Sequence, residues 1–399
     1  WRRTETDVRR RELVQYRDQD VEPRNGFNVV LTLDSGIQHI VETELAEAAE
    51  RHTPISISAI VVRPRTGEIL AMATLPTYNP NRPGAFPPEA LRNRVITDIS
   101  EPGSTFKIVV VSAALNEGKL RLNDVYDCEK GRFYFAGRTL HDHESYSSLT
   151  VEQIIMKSSN IGTAKIAIQK LGEDKLYDYV KNFGFGTRTG VPLPGEVGGI
   201  LHPVKNWSKV SIAQIPMGHG LASTPLQMVM AMSAIANKGT LMRPMIISRL
   251  EDESGNVVAQ YQPQVARQVI SENAAYQMVK ALKSVVSDEG TAAKAKLENY
   301  TVAGKTGTAQ KVINGTYVRG RYFSSFIGFF PADNPELCIS VVMDEPKNGY
   351  YGGQTAAPVF KHIAERSARY LNLRPEIAPE NAIEDVVAAT PEGKGALAR

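Results

Sequence analysis

Cysteine is scarce in this chain of 399 residues: only Cys128 and Cys338 occur, one in a loop-like Tyr-Asp-Cys-Glu and one in a strand-like Leu-Cys-Ile-Ser setting. Nothing in those settings indicates a disulfide, and buried or free thiols are expected. Long apolar runs are missing too. No stretch approaches roughly 18 consecutive apolar residues, so no membrane-spanning helix is expected within these residues, and the first residues do not read as a signal peptide. Excess charge of one sign is also absent, with 46 basic and 43 acidic residues intermixed and a net charge of +3. That balance offers no broad electrostatic footprint for nucleic acid, which is not expected as a partner. A mildly basic surface suits an anionic wall or membrane surface without demanding one. With 42% hydrophobic and 22% charged residues, the composition excludes disordered and collagen-like classes. No internal repeat is visible.

What the chain does have is three short motifs in order: Ser104-Thr-Phe-Lys107, Ser158-Ser-Asn160 and Lys305-Thr-Gly-Thr308. A Ser followed three residues later by a Lys arises by chance roughly once or twice in a chain this long. Ser-x-Asn is weaker still, since it also occurs at Ser254 to Asn256 and at Ser271 to Asn273. Those two copies have plain structural readings: Ser254-Gly-Asn256 lies in a polar run that reads as a turn between strands, and Ser271 reads as a helix N-cap. Only Ser158 lies between two helical segments. The four-residue Lys-Thr-Gly-Thr string arises by chance in well under about one in a hundred such chains. The ordered set is the pattern of a serine acyl-enzyme that handles peptides or lactams.

Because the motifs spread from position 104 to 308, one large domain must bring them together, with a core of about 340 residues and short appendages. Residues 1 to about 26 hold seven Arg and six acidic residues and cannot bury a core alone, so a stub of a further domain or linker is expected over 1–27. The catalytic domain is expected over 28–373, and a loose C-terminal tail over 374–399. A helix is predicted from Ile37 to about Ala49 behind a cap at Asp34 or Ser35, then a hairpin of strands Ala59 to Arg63 and Glu68 to Ala73. Pro102-Gly103 breaks the chain ahead of Ser104, and the apolar run that follows reads as a buried helix with Ser104 at its N-terminus. Thr150-Val-Glu-Gln153 and Thr224-Pro-Leu-Gln227 both fit the capping box, and the middle of the chain is predicted largely helical. Late strands are predicted at Tyr300 to Ala303, Phe323 to Phe330 and Leu337 to Met343, then an amphipathic helix from about Ala357 to Leu371. An isolated hairpin is unstable, so pairing it with the late strands gives one antiparallel sheet with helices on its faces and a helical insertion.

On a helix, positions i and i+3 share a face, so Lys107 can reach the Ser104 hydroxyl and act as general base. A lysine does this only with a lowered pKa, which burial and a second cation supply together; Lys305 is the candidate for that cation. The Ser104 amide at a helix N-terminus can stabilise an oxyanion, with a second donor expected from the strand carrying Thr308. Gly307 lets substrate lie against that strand edge, and Lys305, Thr306 and Thr308 can hold a substrate carboxylate. Ser158 can pass a proton to the leaving amine while Asn160 holds Lys107 and a substrate amide. The competing structural reading is that Ser104 and Thr150 only cap helices, Asn160 breaks one, and Lys305 to Thr308 form an edge-strand turn. Order and spacing count against it.

Two other clusters carry less. His141-Asp-His143-Glu144 has metal-ligand residue types, but an extended segment supplies only part of a site and no further His/Cys cluster completes it, so no metal is expected. His219, within Gly218-His-Gly220, reads as a loop residue near the site rather than a general base. The loop Asn348-Gly-Tyr-Tyr-Gly-Gly353 shows no helix-start context for binding phosphate and reads as a mobile connection.

Taken together, these residues resemble the penicillin-binding proteins, and within them the class B monofunctional transpeptidases. The resemblance runs from about Val29 to Leu373 and includes Arg92-Asn-Arg94, Glu101-Pro-Gly-Ser104, His141-Asp-His143, Lys305-Thr-Gly-Thr-Ala-Gln310, Tyr351-Gly-Gly353 and Ala356-Ala-Pro358. It implies an α+β fold of the penicillin-binding and serine β-lactamase type: a five-stranded antiparallel sheet flanked by helices, plus an all-helical subdomain. It also implies D,D-transpeptidation, in which Ser104 attacks the D-Ala-D-Ala bond of a peptidoglycan stem peptide, releases D-Ala and passes the acyl group to an amine on a neighbouring stem. No cofactor is expected, and β-lactams are expected to acylate the same serine. Residues 1–27 would belong to an N-terminal pedestal preceded by a membrane anchor outside this sequence, which begins at Trp1. That places the domain on the extracytoplasmic face of the bacterial inner membrane, with a SEDS-family glycosyltransferase and other division proteins as partners. Ser158-Ser-Asn-Ile-Gly162 is more similar to the division type than to the elongation type, which commonly has Asp in place of Asn. An elongation-type enzyme, a serine β-lactamase and a non-catalytic β-lactam-binding scaffold are the alternatives.

Overall fold

The computed structural model describes residues 2, 3, 5–14, 19, 20, 25–313 and 315–377. Contacts divide the chain into two compact units, Trp1–Thr32 with Ile247–Gln262, and Leu33–Ile246 with Pro263–Arg399. In the first unit, strands Asn28–Leu31, Ile247–Glu251 and Val257–Gln260 form an antiparallel sheet with Ile247–Glu251 in the middle. The predicted turn at Ser254 to Asn256 joins two of them, with the Asp252 carboxylate accepting from the backbone N–H of Ser254 and of Asn256, each at 2.9 Å. The rest of this unit pairs Arg2–Arg3 with Gln19–Asp20 and Glu5–Thr6 with Glu12–Leu13.

The second unit is built on five strands: β1 (Ser56–Val62), β2 (Ile69–Leu75), β3 (Ala303–Ile313), β4 (Thr316–Phe330) and β5 (Leu337–Asp344). Their order is β3-β4-β5-β1-β2, antiparallel throughout, so the early hairpin and the late strands form one sheet as expected. Every residue of β1 is buried, as a central strand covered on both faces requires. The strand predicted at Tyr300 to Ala303 lies too early: β3 starts at Ala303 and continues through the Lys-Thr-Gly-Thr string to Ile313, where the chain turns into β4.

Seven helices matter for the site: α1 (Ser35–His52), α2 (Lys107–Asn116), α3 (Val151–Met156), α4 (Asn160–Ile166), α5 (Pro225–Ala236), α6 (Glu272–Val285) and α7 (Gly352–Tyr370). The caps read from sequence are present. Asp34 accepts from Gly36 and Ile37 N–H, Thr150 and Thr224 each close a capping box, and Ser271 accepts from Ala274 N–H. Alternation along β5 assigns the sheet faces: Val341 pairs with Phe326, whose ring meets Phe360 of α7 edge to face at 4.8 Å. On the other face the Cys338 thiol approaches the Val229 carbonyl of α5 at 3.9 Å. Both cysteines are free and buried. The region expected to be helical also carries two short antiparallel pairs, Val125–Asp127 with Ser148–Thr150 and Arg132–Phe135 with Arg138–His141. Leu140, Ile161, Ala164, Ala213 and Met217 form a core of their own there.

One expectation needs correction. Asn348 to Gly353 does provide a helix start, because α7 begins at Gly352 rather than near Ala357. Glycine is a poor helix former, and packing overrides that here: a Cβ on Gly352 would lie 2.1 Å from the Ser325 carbonyl oxygen, and one on Gly353 would lie 2.0 Å from that of Thr291. Of the tail, residues 378–399 lie outside the described residues, and Glu376 accepts from the Thr301 hydroxyl at 2.6 Å.

Phe360 is fully buried between Phe326 and Phe330. Truncating it, Phe360→Ala, is expected to cost about 3–5 kcal/mol of stability in urea unfolding; a loss below about 1 kcal/mol contradicts its place at the centre of this core.

Candidate active site

Ser104 stands on a single 3-10 turn, Gly103–Phe106, and the α-helix proper begins at Lys107 rather than at Ser104. The tighter turn has a local cause. Lys107 N–H donates to the Ser104 carbonyl, and the Thr105 hydroxyl donates to the Pro102 carbonyl at 2.7 Å. In 3-10 geometry residues i and i+3 eclipse, which keeps Lys107 on the Ser104 side. Lys107 to Leu115 are all buried, anchoring the turn in the core, while Ser104 itself is half-buried.

Both lysines of the motifs are fully buried, and their amines meet on one oxygen. Lys107 Nζ donates to Ser158 Oγ at 3.1 Å, to Asn160 Oδ1 at 2.8 Å and to the Ser158 carbonyl. Lys305 Nζ donates to the same Ser158 Oγ at 2.9 Å, and to Thr306 O at 3.2 Å. Burial disfavours the charged form of each. It brings Lys107 from an ordinary 10.5 down to about 7, with Asp142 pulling the other way. Lys305 falls well below its ordinary value through burial and then through repulsion by Lys107. Each amine therefore loses its proton more readily than a free lysine does. The Ser104 hydroxyl is not among the hydrogen-bond partners of Lys107 Nζ, whose charged form directs its three donors to Ser158 and Asn160; the neutral amine has two N–H donors and a lone pair, so one of these contacts is given up in that form.

Ser158 holds its position with φ 61, a left-handed conformation that costs a non-glycine residue on the order of 1–3 kcal/mol. The bonds from Lys107 to its carbonyl and hydroxyl oppose that cost. The next element, α4, is capped twice: Ser159 Oγ accepts from Gly162 N–H at 2.9 Å, and the Asp142 carboxylate accepts from Ser159 Oγ at 2.7 Å, Ile161 N–H at 3.0 Å and Asn160 N–H. An anion at a helix N-terminus is favourable. Asn160 turns its oxygen to Lys107 and donates from Nδ2 to the His141 carbonyl at 2.8 Å. The His141-Asp-His143 stretch, read from sequence as incomplete metal-ligand chemistry, is thus the support of the second motif. His143 rests edge-on against Tyr351 at 5.0 Å.

On β3, the free edge of the sheet, Thr306 and Thr308 are already engaged. Thr306 Oγ1 lies 2.9 Å from Thr291 Oγ1, and Thr308 Oγ1 accepts from Gly352 N–H at 3.2 Å. Gly307 serves packing. A Cβ there would lie 2.4 Å from Ser325 Oγ, 3.0 Å from Thr105 Cγ2 and 3.3 Å from the Pro102 carbonyl oxygen, so the bare position lets the Ser104 turn close on the strand. The fold therefore brings Lys107, Ser158, Asn160, Lys305 and Thr306 into one hydrogen-bonded cluster beside Ser104, with Gly307 and Thr308 on the adjoining edge. His219 is engaged elsewhere, with Tyr317 and Glu101. Among the described residues no group of three or more His, Cys, Asp or Glu is placed to hold a metal.

Residues 57–365 match the family model described as the penicillin binding protein transpeptidase domain. The chain belongs to the penicillin-binding protein transpeptidase family. It is similar to stage V sporulation protein D of Bacillus subtilis, with 37% identity over 375 residues covering 93% of this chain and 58% of that protein. It is also similar to peptidoglycan D,D-transpeptidase FtsI of Escherichia coli, with 35% identity over 370 residues covering 92% of this chain and 60% of that one. The chain thus spans less than two thirds of the length of these relatives. Among solved structures, the apo transpeptidase domain of Burkholderia pseudomallei penicillin-binding protein 3 superposes with a TM-score of 0.78 and 34% identity, covering 89% of this chain and all 100% of that one. Penicillin-binding protein 3 of Mycobacterium tuberculosis, complexed with ampicillin, does so with a TM-score of 0.82 and 34% identity over 90% of this chain and 82% of that one.

Within this transpeptidase fold, Asp142 and Thr291 are the residues that motif reading missed. Asp142 sits in a segment whose composition suggested something else, and Thr291 lies 15 positions from its partner Thr306. Asp142→Ala is expected to lower stability by about 1–3 kcal/mol, because three donors at the start of α4 lose their acceptor. Urea unfolding measures this, and an unchanged midpoint contradicts the capping role.

Proposed function

We propose that this chain is the catalytic part of a peptidoglycan D,D-transpeptidase, with Ser104 as nucleophile and β-lactams as substrate mimics. The observation that carries the reading is the meeting of two buried amines on Ser158 Oγ beside Ser104. A neutral Lys107 takes the proton of Ser104 Oγ as that oxygen attacks the carbonyl of the penultimate D-Ala. The tetrahedral oxyanion is held by the Ser104 N–H and a backbone N–H of β3 near Thr308. Ser158, hydrogen-bonded to both lysines, relays a proton to the departing amine of the terminal D-Ala, and the ester on Ser104 remains. An amine of a neighbouring stem then attacks the ester, the proton path runs in reverse, and Ser104 is released. Lys305, Thr306 and Thr308 bind the terminal carboxylate, and Asn160 orients Lys107.

The transpeptidase domain spans 28–373 in this reading, with 1–27 belonging to an N-terminal region and 374–399 to a tail. A division-type role is supported by Asn160 in the second motif. The working place is the outer face of the inner membrane, reached through an upstream anchor, with a SEDS-family glycosyltransferase and other division proteins as partners. No helix among the described residues is long and apolar enough to cross a membrane.

Intact-mass spectrometry after exposure to a penicillin tests the reading. The wild type is expected to gain one stable acyl adduct, Ser104→Ala none, and Lys107→Ala to acylate at least about a hundredfold more slowly. An adduct on Ser104→Ala, or nitrocefin hydrolysis at many turnovers per second, contradicts it.

A further inference from the structure

Glu101, three residues ahead of Ser104, ties its own segment to two others, the turn at 219–220 and the start of β4. Its Oε1 accepts the Gly220 N–H at 2.8 Å. Its two oxygens accept the Tyr317 hydroxyl of β4 at 3.2 and 3.0 Å. Its Oε2 lies 3.1 Å from His219 Nδ1, which in turn lies 2.8 Å from the Tyr317 hydroxyl. The imidazole and phenol rings meet edge to face with centroids 5.4 Å apart. One proton assignment satisfies the cluster: the phenol donates to Glu101, and His219 carries its proton on Nδ1 and shares it between the phenol oxygen and the same carboxylate. Burial alone would raise the Glu101 pKa, but the hydrogen bonds from His219, Gly220 and Tyr317 prevail and hold it below the usual carboxylate value.

The turn that Glu101 grips is packed on the residue before Ser104. Gly218 has φ 79, and a Cβ there would lie 2.2 Å from the Gly103 carbonyl oxygen. Gly103 N–H donates to the Gly218 carbonyl at 3.4 Å, and Ser100 and Ser223 exchange two backbone bonds of 3.1 and 2.9 Å. Residues 218–223 therefore run as a strap along 100–103. Glu101 ties that strap, through Tyr317, to the hairpin of β3 and β4, the same β3 that closes on the other side of the Ser104 turn at Gly307.

We propose that Glu101, His219 and Tyr317 form a latch that fixes the backbone of the Ser104 turn, making Glu101 a positioning residue for acylation that does not itself touch the substrate. This rests on Ser104 being the nucleophile. Misplacing a reacting group by a fraction of an ångström slows chemistry far more than it weakens binding. The latch therefore acts on the acylation step and not on the affinity of the first complex.

The test separates these quantities with a fluorescent penicillin, measuring the saturating acylation rate and the dissociation constant of the non-covalent complex. Glu101→Ala is expected to slow acylation about thirtyfold, His219→Ala about tenfold and Tyr317→Phe about threefold, each with the dissociation constant changed less than about twofold. His219→Asn, whose amide N–H stands where Nδ1–H stood, is expected to restore acylation to within about threefold of wild type. Hydrogen exchange of residues 218–223 is followed in parallel and is expected to speed up in Glu101→Ala. Unchanged acylation in Glu101→Ala overturns the positioning role, as does a matching loss of affinity and thermal stability. If the wild type takes no label, the transpeptidase reading fails, and exchange then decides the latch: equal exchange in wild type and Glu101→Ala overturns it.

Discussion

Two fully buried lysine amines share the oxygen of one partly exposed serine, and the surrounding structure is arranged to make that tolerable. Bringing Lys107 from 10.5 to about 7 corresponds to on the order of 5 kcal/mol spent against the charged form. Lysines so perturbed cluster at functional sites. Ser158 Oγ lies within hydrogen-bonding distance of both amines, Asn160 Oδ1 and the Ser158 carbonyl accept from Lys107, and Asp142 supplies a nearby negative charge. Removing any of these leaves a buried donor without an acceptor, which is why the three motifs form one unit rather than three independent features.

Backbone proximity brings the motifs together. The Ser104 turn is pressed between β3, at Gly307, and the 218–223 strap, at Gly218, and neither contact leaves room for a Cβ. The start of α7 is pressed against β3 and β4 in the same way at Gly352. Sheet, strap and helix start thus meet around the nucleophile through main-chain contacts, and those are less compliant than side-chain contacts. Ser104 stays half-buried on this frame while Lys107, three residues on, is fully buried.

Much of this was legible in the chain. Helix caps at Asp34, Thr150, Thr224 and Ser271 were readable because capping is local chemistry between residues two or three apart. The sheet was inferable because an isolated hairpin has no stable alternative but to pair. Motif spacing identified the residues that converge on Ser158. What sequence pattern could not convey were effects set by distant neighbours. Gly352 and Gly353 open a helix against their own propensity because Ser325 and Thr291 crowd them. Thr308 is engaged by Gly352 rather than standing free. Asp142 reads as a metal-ligand type until α4 is seen to start on it, and Glu101 reads as part of a family string until its three partners are in view.

The central claim is that Lys107 is neutral near physiological pH and acts as the base for Ser104. The most direct test is the pH dependence of the saturating rate at which a penicillin acylates the wild-type chain. A base must be deprotonated to accept a proton, so the rate is predicted to be level above about pH 7 and to fall roughly tenfold per unit below it. A rate that stays flat down to about pH 5, or that keeps rising toward the ordinary lysine value of 10.5, contradicts the account.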